Sequence, residues 1–187
     1  MYVLIRYAGM VTSIKNIDVV EHQSDVLIYS TNVFLNCSGG VGSTLLNRYG
    51  NTLQSDLHTL LANSDVKYAQ QGDIYNKVST GMPYKAVFHT VPCDGFYETS
   101  IDIVTDILQR CMDECIRLPF ISTVSISLLG CGYGHMEPEE FIRIAAEVLN
   151  RSKYSDLESA VLCIYDHYLY TQACEQVRVE GLKFSLA

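Results

Sequence analysis

The sequence predicts one α/β domain over residues 1–187, a three-layer α/β/α sandwich around a mixed, mainly parallel sheet. Three observations predict it. Short apolar runs rich in β-branched residues alternate with stretches of helical period, the order of parallel-sheet proteins. The runs are nearly continuous rather than alternating, as in strands covered on both faces. Two of them also feed directly into a glycine-rich loop that is followed by a helix.

The elements follow in chain order. Residues 2–7 read as a strand, and residues 25–30 (DVLIYS) as a buried one. A glycine-rich loop spans 36–42. Helical spacing begins near Ser43, with Leu45, Leu46 and Tyr49 on one face, and continues through Leu53, Leu57, Leu60 and Leu61. Residues 85–91 (KAVFHTV) form a strand ended by Pro92. Residues 99–118 are amphipathic, with Ile103, Ile107, Cys111 and Cys115 at helical spacing, and Pro119 stops them. Residues 123–129 are a strand that runs into a second glycine loop, 130–134. Pro138 suits the first turn of a helix reaching about Asn150, because its missing N–H costs nothing there. Residues 159–165 (SAVLCIY) are the last clear strand.

Composition narrows the function. A chain of 187 residues with 48% apolar content buries roughly 70% of its unfolded surface and needs no staples. Seven cysteines lack CxxC or Cys/His ligand spacing, which points to reduced thiols, a cytoplasmic setting and no metal site. The first residues do not form a signal peptide, and no run is apolar enough for a membrane span. A net charge of −8 argues against direct binding of a nucleic-acid backbone. It leaves room for a small anion, since backbone amides bind phosphate without cationic side chains.

The sharpest feature is the repeated strand, glycine loop and helix, at DVLIYSTNVFLNCSGGVGSTLL and SISLLGCGYGHMEPEEF. Glycine permits positive φ and lets the backbone approach a ligand. The N-terminus of the helix that follows favours an anion. Neither loop ends in GK[ST], and neither is a GxGxxG fingerprint, since Gly130, Gly132 and Gly134 alternate. Two such loops are predicted to grip a pyrophosphate from two sides with backbone amides. A side chain at Gly40 or Gly132 is expected to block the phosphate or the backbone angles it needs.

Three blocks in order resemble the macrodomain family over nearly the whole chain. They are Asp18 with Tyr29-Ser30-Thr31-Asn32 and Ser38-Gly39-Gly40-Val41-Gly42; Gly72 with Ser79-Thr80-Gly81 and the run from Met82 to Val91; and Leu129-Gly130-Cys131-Gly132-Tyr133-Gly134 with Pro138-Glu139-Glu140. The resemblance implies a cleft for ADP-ribose or a related NAD-derived nucleotide, free or attached to a macromolecule, with no separate cofactor. It implies that Asp18 accepts from the adenine amine, that Val19 belongs to the ligand site, and that Asn32 lies near the distal ribose. Gly39, Gly40, Val41, Gly42 and Ser43 would wrap that ribose and one phosphate. Gly130, Cys131, Gly132, Tyr133 and Gly134 would form the second phosphate loop, with Tyr133 over the distal ribose. Tyr165 or Tyr168 would flank adenine, and both also fit as core or rim residues. His89 reads as a core histidine and Cys131 as packing.

The chain departs from the hydrolytic members of that family. Gly42 stands where many carry an aspartate, Leu46 where they carry a histidine, and Gly134 where another branch has an acid. No catalytic residue is assigned. Loss of a placed acid or base removes roughly 10²–10⁴-fold in rate. The readings are a binding module, an ADP-ribosyl hydrolase and an interaction scaffold, with binding favoured.

Overall fold

The computed structural model describes residues 9–64 and 66–186; the strand predicted at residues 2–7 lies outside them. Among the described residues, seven strands form one sheet: β1 (Val11–Lys15), β2 (Val26–Ser30), β3 (Ile74–Asn76), β4 (Ala86–Thr90), β5 (Thr123–Ile126), β6 (Ser159–Cys163) and β7 (Ser185–Leu186). The order is β3-β4-β2-β5-β6-β1-β7. Every pairing is parallel except β3 with β4. Five α-helices pack on it: α1 (Gly40–Tyr49), α2 (Thr52–Asn63), α3 (Ile101–Cys115), α4 (Pro138–Leu149) and α5 (His167–Glu180).

The period of two explains the three layers. Val26, Ile28, Phe88, Val124, Ile126, Ala160 and Leu162 face one core with Ile107, Phe141 and Val177 of α3, α4 and α5. Leu27, Tyr29, Val87 and Val161 face the other, with Leu45, Leu53 and Leu57 of α1 and α2. Both faces are apolar, so the runs read as continuous in sequence. Phe141 is fully buried, which stabilises the fold by about 1.5–3 kcal/mol relative to exposure. Ser100 caps α3 by accepting the Ile103 N–H, and Asp166 caps α5 by accepting the Leu169 N–H.

Several boundaries differ from the sequence reading. α1 starts at Gly40, three residues before Ser43, and β5 ends at Ile126, where the Ser127 N–H makes the last bond to β2, at the Ile28 carbonyl. β1, β3, β7 and α5 are additions. β1 hides Thr12 and Ser13, whose polarity masks a buried strand; the Thr12 hydroxyl is satisfied by the Lys183 carbonyl at 2.9 Å. In α5 the buried positions are Ala173, Cys174, Gln176 and Val177, mostly small or polar, while Tyr168 and Val179 stand exposed and blur the stripe. None of the described helices is long and apolar enough to cross a membrane.

The sheet order creates the site. β2 and β5 are adjacent and parallel, yet the helix after β2 packs on one face and the helix after β5 on the other. The chain therefore parts at the carboxyl ends of these two strands, which opens a crevice at a topological switch point.

Candidate functional site: the cleft at the switch point

A cleft of about 840 Å³ opens at this point. Four loops wall it in the order of their strands: 92–97 after β4, 31–40 after β2, 127–134 after β5 and 164–169 after β6. Neighbouring strands stand about 4.8 Å apart, so β4 and β6 are separated by roughly 14 Å. The cleft is therefore elongated, with the glycine loops at its middle. The segment after β1 adds Asp18 and Val19 at the β6 end.

The first loop is held by side chains. Asn32 Oδ1 accepts the N–H groups of Phe34 (3.0 Å) and Asn36 (3.2 Å), and its Nδ2 donates to the Asn36 carbonyl (3.0 Å). From α2, Gln54 accepts the Cys37 N–H at 2.7 Å and donates to the Leu35 carbonyl, and His58 bonds Asn36 at 2.9 Å. Under the loop, the Cys37 thiol lies beside the buried Tyr29 hydroxyl. Tyr29 donates to His89 Nδ1 at 2.6 Å, and His89 Nε2 donates to the Lys77 carbonyl at 2.9 Å. His89 thus has both ring nitrogens engaged and is buried. Burial lowers its pKa to about 4, against a smaller opposing effect of the Lys77 bond. It is a core histidine.

The loop delivers the chain to α1, whose N-cap is Gly39 with no side-chain cap. The first N–H groups of a helix have no intrahelical acceptor, and here they start at the cleft wall. Ser43 does not share that place. Its N–H is consumed by the Gly39 carbonyl at 3.2 Å, as the fourth residue of a helix requires, and it does not line the cleft.

The second loop is held by the absence of side chains. The Gly130 N–H bonds Ser30 Oγ at 3.1 Å, tying the loop to the end of β2. A Cβ on Gly134 would collide with the Gly130 carbonyl oxygen and with Cys93 Sγ. A Cβ on Gly39 would sit 2.7 Å from the Tyr133 hydroxyl, so Tyr133 crosses the cleft over the first loop. At Gly132 the backbone conformation itself does not require glycine. A Cβ there meets nothing within 4 Å and its φ is not positive, whereas Gly40 does adopt a positive φ of 50°.

The structure brings Asp18, Val19, Asn32, Gly39, Gly40, Val41, Gly42, Gly130, Cys131, Gly132, Tyr133, Gly134 and Tyr165 to one cleft. Of the two aromatic candidates, Tyr165 lines it, and Tyr168 turns outward on α5 to accept from Gln172. Asp18 is fixed by an Oδ1 bond from the Val20 N–H at 2.9 Å. Burial pushes the Cys131 thiol up to about 12, with neighbouring Cys93 adding to it, and Cys93 itself up to about 11. Both are packing thiols, because a nucleophile must be a thiolate. No group of three or more metal-ligating side chains converges among the described residues.

The sequence reading missed Asp94 and Tyr97 at the β4 end and Ile164, Asp166 and Leu169 at the β6 end. A usable signal was there, since both segments follow a predicted parallel strand on its carboxyl side. Their loops simply lack clustered glycines.

A Macro domain family model matches residues 28–145, well over half of the chain, and the chain belongs to that family. Its fold is similar to an Oceanobacillus iheyensis macrodomain solved with ADP, with TM-score 0.78 and 15% identity over 90% of this chain and 92% of that one. It is also similar to a mutant of that macrodomain solved with ADPR, with TM-score 0.76 and 13% identity over 91% and 92%. A Trypanosoma brucei macrodomain in complex with ADP-ribose gives TM-score 0.72 and 16% identity over 89% and 68%. No curated protein matches the chain.

Proposed function

We propose that this macrodomain binds ADP-ribose, free or attached to a macromolecule, along the cleft at the switch point. The observation that carries the reading is the meeting of two glycine loops across an elongated cleft, with the uncapped start of α1 in its wall. Backbone amides there can hold a pyrophosphate at the middle. Adenine lies at the β6 end, where Asp18 has one carboxylate oxygen fixed by Val20 and the other left to accept the exocyclic amine. Tyr165 flanks the base. The distal ribose lies at the β4 end, beneath Tyr133 and beside Asn32, whose Nδ2 keeps one hydrogen to donate. Relatives of the same fold, named as complexes with ADP-ribose or ADP, support the choice of ligand. Calorimetry against ADP-ribose, ADP and AMP tests the reading. Affinity rising from AMP through ADP to ADP-ribose is expected, and absence of ADP-ribose binding rejects it.

One observation favours hydrolysis as a second reading. Asp94 lines the cleft at the end assigned to the distal ribose, where the familiar acidic positions hold glycine. A carboxylate within reach of the anomeric carbon can serve as a general base for water. Release of ADP-ribose from a modified substrate, lost in Asp94→Asn, tests it.

A further inference from the structure

We propose that the β4 end of the cleft takes a planar cation carried on the distal ribose of the bound nucleotide. The inference rests on the ADP-ribose reading and adds what the ligand bears at its far end. Tyr97 and Tyr133 both line this end of the cleft, their ring centroids 6.0 Å apart and their planes tilted by 45°. They remain 48% and 71% exposed, so their faces are open to a further group. Asp94 lines the same wall. Its Oδ1 accepts the N–H groups of Phe96 at 2.8 Å and Glu98 at 3.0 Å, which holds the carboxylate in place and leaves Oδ2 to a ligand. Aromatic faces next to a fixed carboxylate attract a cation through the ring quadrupole and Coulomb's law, and a neutral group of the same size gains neither term.

The charge balance of the cleft points the same way. Among the described residues that line it are Asp18, Asp94 and Asp166, and no Lys, Arg or His. Asp166 is engaged in capping α5, and Asp18 belongs to the adenine end. A nucleotide with two negative phosphates therefore enters an uncompensated acidic cleft in a chain of net charge −8. A positive group at its far end meets Asp94 and offsets part of that repulsion. A planar, delocalised cation suits tyrosine faces better than a compact, strongly hydrated ammonium. Two sources share this chemistry: the nicotinamide ring of NAD⁺ and the guanidinium of an arginine-linked ADP-ribose.

Calorimetry at low ionic strength tests the proposal in two arms. The first compares NAD⁺ with NADH, whose ring is uncharged. The second compares a short peptide ADP-ribosylated on arginine with the same peptide modified on serine. ADP-ribose alone is the reference. In at least one arm the cationic member is expected to bind about fivefold tighter than its neutral counterpart, and that arm identifies the source. Tyr97→Leu and Asp94→Asn should each bring the ratio close to one. Asp94→Asn keeps an Oδ1 for Phe96 and Glu98 and so preserves the loop if the leucine variant does not fold. If ADP-ribose binds and both ratios are one in the unmodified protein, the proposal is overturned and the binding reading stands. A ratio that survives both substitutions also overturns it, because the cation then sits elsewhere. If ADP-ribose itself does not bind, the underlying reading falls and this inference with it.

Discussion

The two glycine loops line one cleft with opposite construction. The first is fastened by side chains: Asn32 within the loop, Gln54 and His58 from α2, and the buried chain of Cys37, Tyr29 and His89 beneath it. The second is fastened by missing side chains, with Gly134 seated against the Gly130 carbonyl and Cys93, and Tyr133 lying over Gly39. A phosphate site made of amides needs a rigid backbone. A loop can become rigid through added hydrogen bonds or through a close approach that only glycine allows. The first kind should yield gradually to mutation, and the second abruptly.

Predictions that break or sharpen this contrast run from large effects to small. Gly134→Val should have the largest effect. The side chain has no room against the Gly130 carbonyl, so the second loop must move; loss of measurable ADP-ribose binding in calorimetry is expected, with a circular dichroism spectrum that still shows the fold. Next comes the footing of the first loop, which titrates. The His89 pKa is about 4 when folded and 6.5 as its ordinary value. Below pH 6.5 the unfolded chain takes up a proton that the folded chain refuses until about pH 4. Stability is therefore complete above 6.5 and lost as the pH falls through that window, by about 3 kcal/mol. Urea unfolding at several pH values measures the slope, and His89→Asn should flatten it.

Gly39→Val displaces Tyr133 rather than backbone. Side chains yield more readily than carbonyls, so a loss of about tenfold in ADP-ribose affinity is expected, less than for Gly134→Val. Asp18→Ala removes the acceptor proposed for adenine and is expected to cost about 1–3 kcal/mol, a factor of roughly ten or more in the dissociation constant. The discriminating control is inosine diphosphate ribose, which lacks the amine and should bind both forms alike. Gly132→Ala should have the smallest effect, within about twofold, because the new methyl group meets nothing within 4 Å and φ is not positive there. A large loss at Gly132 would mean that the second loop closes onto the ligand.

The middle of the molecule was legible in the sequence and its ends were not. β2, β4, β5 and β6 are buried on both faces and declare themselves as short runs rich in apolar and β-branched residues. The clustered glycines locate the loops at the switch point. β1 was hidden because Thr12 and Ser13 are buried although polar, and the Thr12 hydroxyl is satisfied by a partner remote in sequence, the Lys183 carbonyl. Asp94 and Tyr97 enter the cleft only because β4 stands beside β2, a pairing that no local pattern encodes. The differing tolerance of Gly132 and Gly134, two residues apart, depends on where Cys93 and the Gly130 carbonyl lie in space. Ser43 was misplaced by sequence for a simpler reason: α1 begins one turn earlier than its apolar spacing suggested.

The central claim is that backbone amides at the switch point, and not cationic side chains, hold the pyrophosphate. Amide NMR during titration with ADP tests it most directly. The account predicts that the N–H signals of Gly40, Val41 and Gly42 and of residues 130–134 shift strongly and together, while the side-chain signals of Arg48 and Lys85 stay in place. Amides that do not move while an arginine or lysine side chain does would contradict it.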